Sequence, residues 1–138
     1  MLHQIESVYQ GNLRTQAQHL ASSNTIITDA PTDNNGKGEA FSPSDLVCVA
    51  LGSCMMTIMG IVAERDQVNL EGVRWETTKI MASNPRRIAE IRIVFHFPKQ
   101  LNLDEKYRQK LENAAHTCPV ALSISSEIKQ VIEFDYQS

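Results

Sequence analysis

Two of the three cysteines in this chain stand where thiols could work as a pair. Cys54 lies in the middle of Leu46–Ala63, eighteen residues without a charge, and Cys118 directly precedes Pro119. The uncharged run opens on Ser42-Pro43-Ser44-Asp45, a strong helix-start pattern. Ser42 can cap the free N–H groups, Pro43 suits the first helical position, and Asp45 completes a capping box at the positive end of the dipole. Helical periodicity then puts Cys54 about three turns inside, beyond the reach of that dipole. Cys118, ahead of a proline, reads as the cap of a second helix. The two make a candidate nucleophile and resolving thiol.

A thiol that reduces a peroxide must be a thiolate, in a dry pocket, beside a cation. The sequence predicts a buried Cys54, and burial in apolar surroundings favours the neutral thiol. The helix around it offers no cation, so one must come from another element. Arg14, beside the Gly11-Asn12 turn, is a candidate; the same place equally suits an exposed arginine at a strand end. Cys48 and Cys54 are six residues apart, about 9 Å along a helix axis, whereas a disulfide needs Cα atoms within about 7 Å. Cys48 therefore reads as a small core residue. The four histidines, His3, His19, His96 and His116, are scattered, and no C-x-x-C occurs, so no zinc pattern is present. Nothing in the spacing points to a cysteine protease, and no residue pattern asks for a cofactor.

At 138 residues the chain reads as one domain, 1–138, and 42% hydrophobic content allows a real core. A net charge of −3 and the lack of a basic stripe argue against nucleic acid. The start, Met1-Leu2-His3-Gln4-Ile5-Glu6, lacks the basic and apolar regions of a signal peptide. An odd number of cysteines suits a reducing cytoplasm. Leu46–Ala63 is about 27 Å long as a helix, just enough to cross a bilayer. Gly52, Ser53, Thr57 and Gly60 within it, and amphipathic strands around it, favour a buried helix and no membrane. A helix apolar all round must be covered all round, and a small domain has trouble doing so alone. A second copy is the expected cover.

Residues 3–29 read as short antiparallel strands, with turns at Gly11-Asn12 and Ser22-Ser23-Asn24. Residues 30–41 form a polar loop, either a solvated connector or the rim of a site. Leu70–Met81 and Ile88–Pro98 read as a hairpin turned by Asn84-Pro85-Arg86-Arg87. In its second strand Ile91, Ile93, Phe95 and Phe97 share one face, and Glu90, Arg92, Val94 and His96 the other. An amphipathic helix follows from about Leu103 to Thr117, then a short one at Val120–Glu127, then a closing strand at Lys129–Tyr136. The order gives an α+β fold with antiparallel sheet.

Phe41-Ser42-Pro43-Ser44-Asp45-Leu46 followed by Ala50-Leu51-Gly52-Ser53-Cys54 resembles the helix motif of the OsmC/Ohr family of thiol peroxidases. His116-Thr117-Cys118-Pro119 resembles that family's second motif, and the resemblance spans essentially the whole chain. It implies the OsmC-like fold, antiparallel sheets around a central buried helix that carries the cysteine, in an intertwined homodimer. It implies reduction of hydroperoxides, mainly organic, with Cys54 peroxidatic, Cys118 resolving, and an external dithiol such as dihydrolipoamide as reductant. It also implies an activating arginine, carried over as Arg14, paired with an acid at the helix start, carried over as Asp45. In the organic-hydroperoxide branch a glutamate directly follows the proline; here Ser44 holds that place. The resemblance is thus to branches with the acid one position later. The alternative is a catalytically weak OsmC-like protein that binds a small apolar or electrophilic ligand.

Overall fold

Polar turns fold the first part of the chain back on itself twice. The computed structural model describes residues 2–137, and the chain divides into two compact units, Met1–Val47 and Cys48–Ser138. In the first, strands β1 (Ile5–Gly11), β2 (Arg14–His19) and β3 (Thr25–Asp29) form an antiparallel meander in the order β1-β2-β3. Gly11 turns with φ +83°, a conformation glycine adopts without a Cβ penalty. The β2–β3 register sets Thr15 opposite Thr28 and Arg14 opposite Asp29. A single 3₁₀ turn, Thr32–Asn34, interrupts the loop that follows.

Helix α1 (Pro43–Arg65) runs from the end of the first unit into the second. Its start is the expected capping box. The Asp45 N–H donates to Ser42 Oγ at 3.1 Å, and the Ser42 N–H donates to Asp45 Oδ2 at 2.9 Å. Only one face of α1 is closed off, along Cys48, Leu51, Met55, Met59 and Ala63. Val49 and Ile61 remain about 40% exposed, at 41% and 39%. The helix is long and apolar enough to cross a membrane by length and composition, yet this buried stripe has the three-and-four spacing of a helix laid on a core.

The second unit holds a three-stranded sheet in the order β4-β5-β6, with β4 at Arg74–Ala82, β5 at Arg87–His96 and β6 at Lys129–Asp135. β4 and β5 are the expected antiparallel hairpin. On central β5, Ile91, Ile93 and Phe95 are fully buried while Arg92 between them is exposed, so the alternation read from the sequence holds. β6 departs from the expected all-antiparallel sheet: it pairs parallel to β5, from Glu90↔Lys129 to His96↔Asp135. The cause is the connection. Helix α2 (Glu105–Ala115) and helix α3 (Pro119–Ser123) carry the chain back to the end of the sheet where β5 began, as a parallel pair requires. Asp104 caps α2, its side chain accepting the Tyr107 N–H at 2.8 Å. α2 is tied to the end of α1 by Asp66, which accepts from Tyr107 at 3.0 Å and Lys110 at 2.7 Å.

Candidate functional site

The position of Cys54 follows from the helix it rides on. Six residues beyond Cys48, it sits about 120° round α1 from the middle of the buried stripe. It is therefore half-buried, not enclosed as the sequence predicts. The apolar run around it is uniform and does not reveal which side meets the core. Two residues earlier, Gly52 lies under the indole of Trp75. A Cβ there would come within 2.6 Å of Trp75 Nε1 and 3.0 Å of Cδ1. Gly52 thus lets α1 lie close against β4 just ahead of the cysteine.

Cys118 is the enclosed thiol, with no exposed surface. It stands one residue before α3 as its N-cap, as expected, and its Sγ accepts the Ala121 N–H at 3.3 Å. Pro119 takes the first helical position, where a missing N–H costs nothing. α3 is shorter than the sequence suggests, ending at Ser123 rather than Glu127. Gln130 on β6 ties α3 down by donating to the Ala121 carbonyl at 3.2 Å. The ring of His116, two residues before Cys118, meets Phe134 edge-on at 6.2 Å between centroids.

The structure places Cys54 near enough to Cys118 for one thiol to perturb the other. Burial pushes the Cys118 thiol above its usual range, and the neighbouring Cys54 adds to that, while the Ala121 and Val120 N–H groups pull the other way. Cys118 is thus held as a neutral thiol at neutral pH. None of the three cysteines forms a disulfide. On another side of α1, an open groove of about 760 Å³ runs past Ser53, Met56, Thr57, Ile61, Leu70 and Trp75. Its lining is mostly apolar, and Cys54 does not itself line it.

In the first unit Arg14 is clamped by carboxylates. Its Nε and Nη2 donate to Asp29 Oδ1 and Oδ2, both at 2.7 Å, and Nη2 also reaches Glu39 Oε1 at 3.1 Å. Such a two-pronged bond fixes the guanidinium in place as well as in charge. Asp29 is almost wholly buried, and the Glu39 N–H donates to its Oδ2 at 3.1 Å. The Arg14 guanidinium, helped by that N–H, holds the Asp29 carboxyl below its ordinary range, and Asp29 in turn raises Arg14. Arg14 is thus bonded to the carboxylates of Asp29 and Glu39, and Asp45, its expected partner, also serves the cap of α1. Asp29 escaped sequence reasoning because its place depends on the exact β2–β3 register. The expected Ser22-Ser23-Asn24 turn would set Thr32 opposite Arg14; the observed register, from Gln18↔Thr25, is centred earlier and sets Asp29 there, where an acid facing an arginine across two strands pairs with it.

Comparison with known proteins follows the same lines. The family model for OsmC-like protein matches residues 36–133. A solved structure from Psychrobacter arcticus 273-4, of a protein named for osmotic stress induction and detoxification response, is 48% identical. It covers 97% of this chain and 96% of its own, with a TM-score of 0.93. An OsmC-like protein from Mycoplasma pneumoniae has 15% identity, coverage of 97% and 96%, and a TM-score of 0.77. An organic hydroperoxide resistance protein from Legionella pneumophila has 16% identity, coverage of 98% of both chains, and a TM-score of 0.68. Among curated proteins, none matches the sequence.

Proposed function

The chain belongs to the OsmC-like family, and from that premise we propose that it reduces hydroperoxides, organic ones above all, through Cys54 and Cys118. The nearness of the two thiols, with Cys54 half-exposed and Cys118 enclosed, carries this reading. Cys54, as thiolate, attacks a peroxide oxygen; the O–O bond breaks and an alcohol leaves. The resulting Cys54 sulfenic acid condenses with Cys118 and releases water. An external dithiol such as dihydrolipoamide returns the disulfide to two thiols. The Leu, Val, Ile and Met content of the helix that carries Cys54 suits a greasy peroxide better than hydrogen peroxide. The name of the Legionella protein, with its similar fold, lends support. A reducing cytoplasm is the compartment that such a cycle needs.

In this reading the arginine role that the family resemblance implies falls to Arg14, whose guanidinium Asp29 and Glu39 hold in place. Asp45 acts at one remove, by fixing where the cysteine helix begins. Replacing Arg14 by alanine should slow the reaction of Cys54 with peroxide at least tenfold, the equivalent of about 1.4 kcal/mol of lost stabilisation. Unchanged single-turnover rates would assign the role to another cation, Lys37 being the next to examine. The reading includes a homodimer, because α1 keeps an apolar flank open at Val49 and Ile61.

The test is a single turnover of the reduced protein with a bulky organic hydroperoxide and, separately, with hydrogen peroxide. Intact mass should fall by two hydrogens, and the organic peroxide should react faster. A mass gain of one oxygen with no later loss, or no change at all, would defeat the proposal. The second phase, sulfenic acid to disulfide, should also accelerate with pH. The Cys118 pKa is raised, so its thiolate fraction grows about tenfold per pH unit until that raised value is reached. A second phase flat from pH 6 to 9 would mean that Cys118 is not the attacking thiol.

A further inference from the structure

We infer that the dithiol which regenerates the protein attacks the sulfur of Cys54, not that of Cys118, and does so from the position the peroxide oxygen has vacated. This rests on the reading of Cys54 and Cys118 as the redox pair.

Displacement at sulfur is in line: the incoming and departing atoms lie on opposite sides of the sulfur attacked. When Cys118 condenses with the Cys54 sulfenic acid, its Sγ arrives at the Cys54 sulfur on one side and the hydroxyl leaves on the other. The newly formed S–S bond therefore points, through Cys54, straight at the place the peroxide occupied. A thiolate entering there is already aligned to attack Cys54 and expel Cys118. The other end of the bond is closed. Cys118 has no exposed surface, the first turn of α3 packs on it through the Ala121 N–H at 3.3 Å, and Gln130 pins that turn to β6.

Leaving-group chemistry favours the opposite order, since a thiol whose pKa burial has raised departs less readily. That effect scales the rate by a fractional power of acidity, whereas an occluded back side stops the reaction, so access decides. The step balances as follows. The first thiolate of the dithiol forms a mixed disulfide with Cys54, and Cys118 leaves as thiolate and takes up a proton. The second thiolate of the dithiol then displaces Cys54 and closes the reductant's own disulfide. Peroxide and reductant thus use one site in turn.

The experiment forms the Cys54–Cys118 disulfide with diamide, so that it does not depend on reactivity toward peroxide. The oxidised protein is mixed with excess cysteamine, which has a single thiol, quenched early in acid, and labelled with a maleimide. Peptide mapping should place cysteamine on Cys54 and the maleimide on Cys118, with at least a tenfold excess over the reverse pattern. Cysteamine mainly on Cys118, or equally on both, would overturn the inference. So would failure of diamide to join the two cysteines. Should mapping give the expected pattern while peroxide leaves Cys54 unoxidised, the inference stands and the peroxidase reading falls.

Discussion

Replacing Cys54 by serine should cut hydroperoxide consumption by about a thousandfold or more, because a neutral hydroxyl cannot do a thiolate's work on the O–O bond. The substitution is nearly isosteric, and Cys54 is half-buried on the flank of α1 rather than within its packed stripe. The fold should survive, and the variant should sediment as the same dimer as its parent at micromolar concentration. Circular dichroism and sedimentation velocity on the variant separate lost chemistry from lost structure. Turnover near that of the parent, in a folded variant, would remove Cys54 from the centre of the mechanism. A folded monomer in both proteins would leave the chemistry untouched and dispose of the dimer.

Replacing Cys118 by serine should let one turnover proceed and halt the cycle there. Serine is a better helix cap than cysteine, so its Oγ should take over the Ala121 N–H that the thiol now accepts. α3 should hold at least as well as before. What is lost is the second sulfur, and with it the disulfide. The sulfenic acid then persists on Cys54 and should be captured by dimedone as a stable adduct. The same treatment of the parent protein should give little adduct, because the nearby Cys118 competes for the sulfenic acid. Normal cycling of Cys118→Ser with dihydrolipoamide would show that the resolving thiol lies elsewhere.

Much of this arrangement could be read from residues close together in the chain. The capping box at Ser42 and Asp45 is local, and it appears where expected because neighbours three residues apart settle it. The alternation on β5 and the cap at Cys118 are local in the same sense. What escaped depends on parts far apart. Whether β6 runs parallel or antiparallel to β5 is set by the route of two intervening helices, and the same alternating pattern serves both. The exposure of Cys54 depends on which side of a uniformly apolar helix faces the sheet. The clamp on Arg14 needs Asp29, fifteen residues away, brought alongside by strand register. The helix acid was the expected partner because it stood in a recognisable motif, whereas Asp29 is brought to Arg14 by strand register alone.

The close contact between Gly52 and Trp75 carries a practical consequence. Trp75 is the sole tryptophan of the chain, and its ring rests on the helix backbone two residues ahead of Cys54. Indole fluorescence is sensitive to nearby sulfur and to small changes in packing. Emission from this protein, unmixed with that of any other tryptophan, is therefore a built-in optical gauge of that stretch of helix, readable on the millisecond scale without a label.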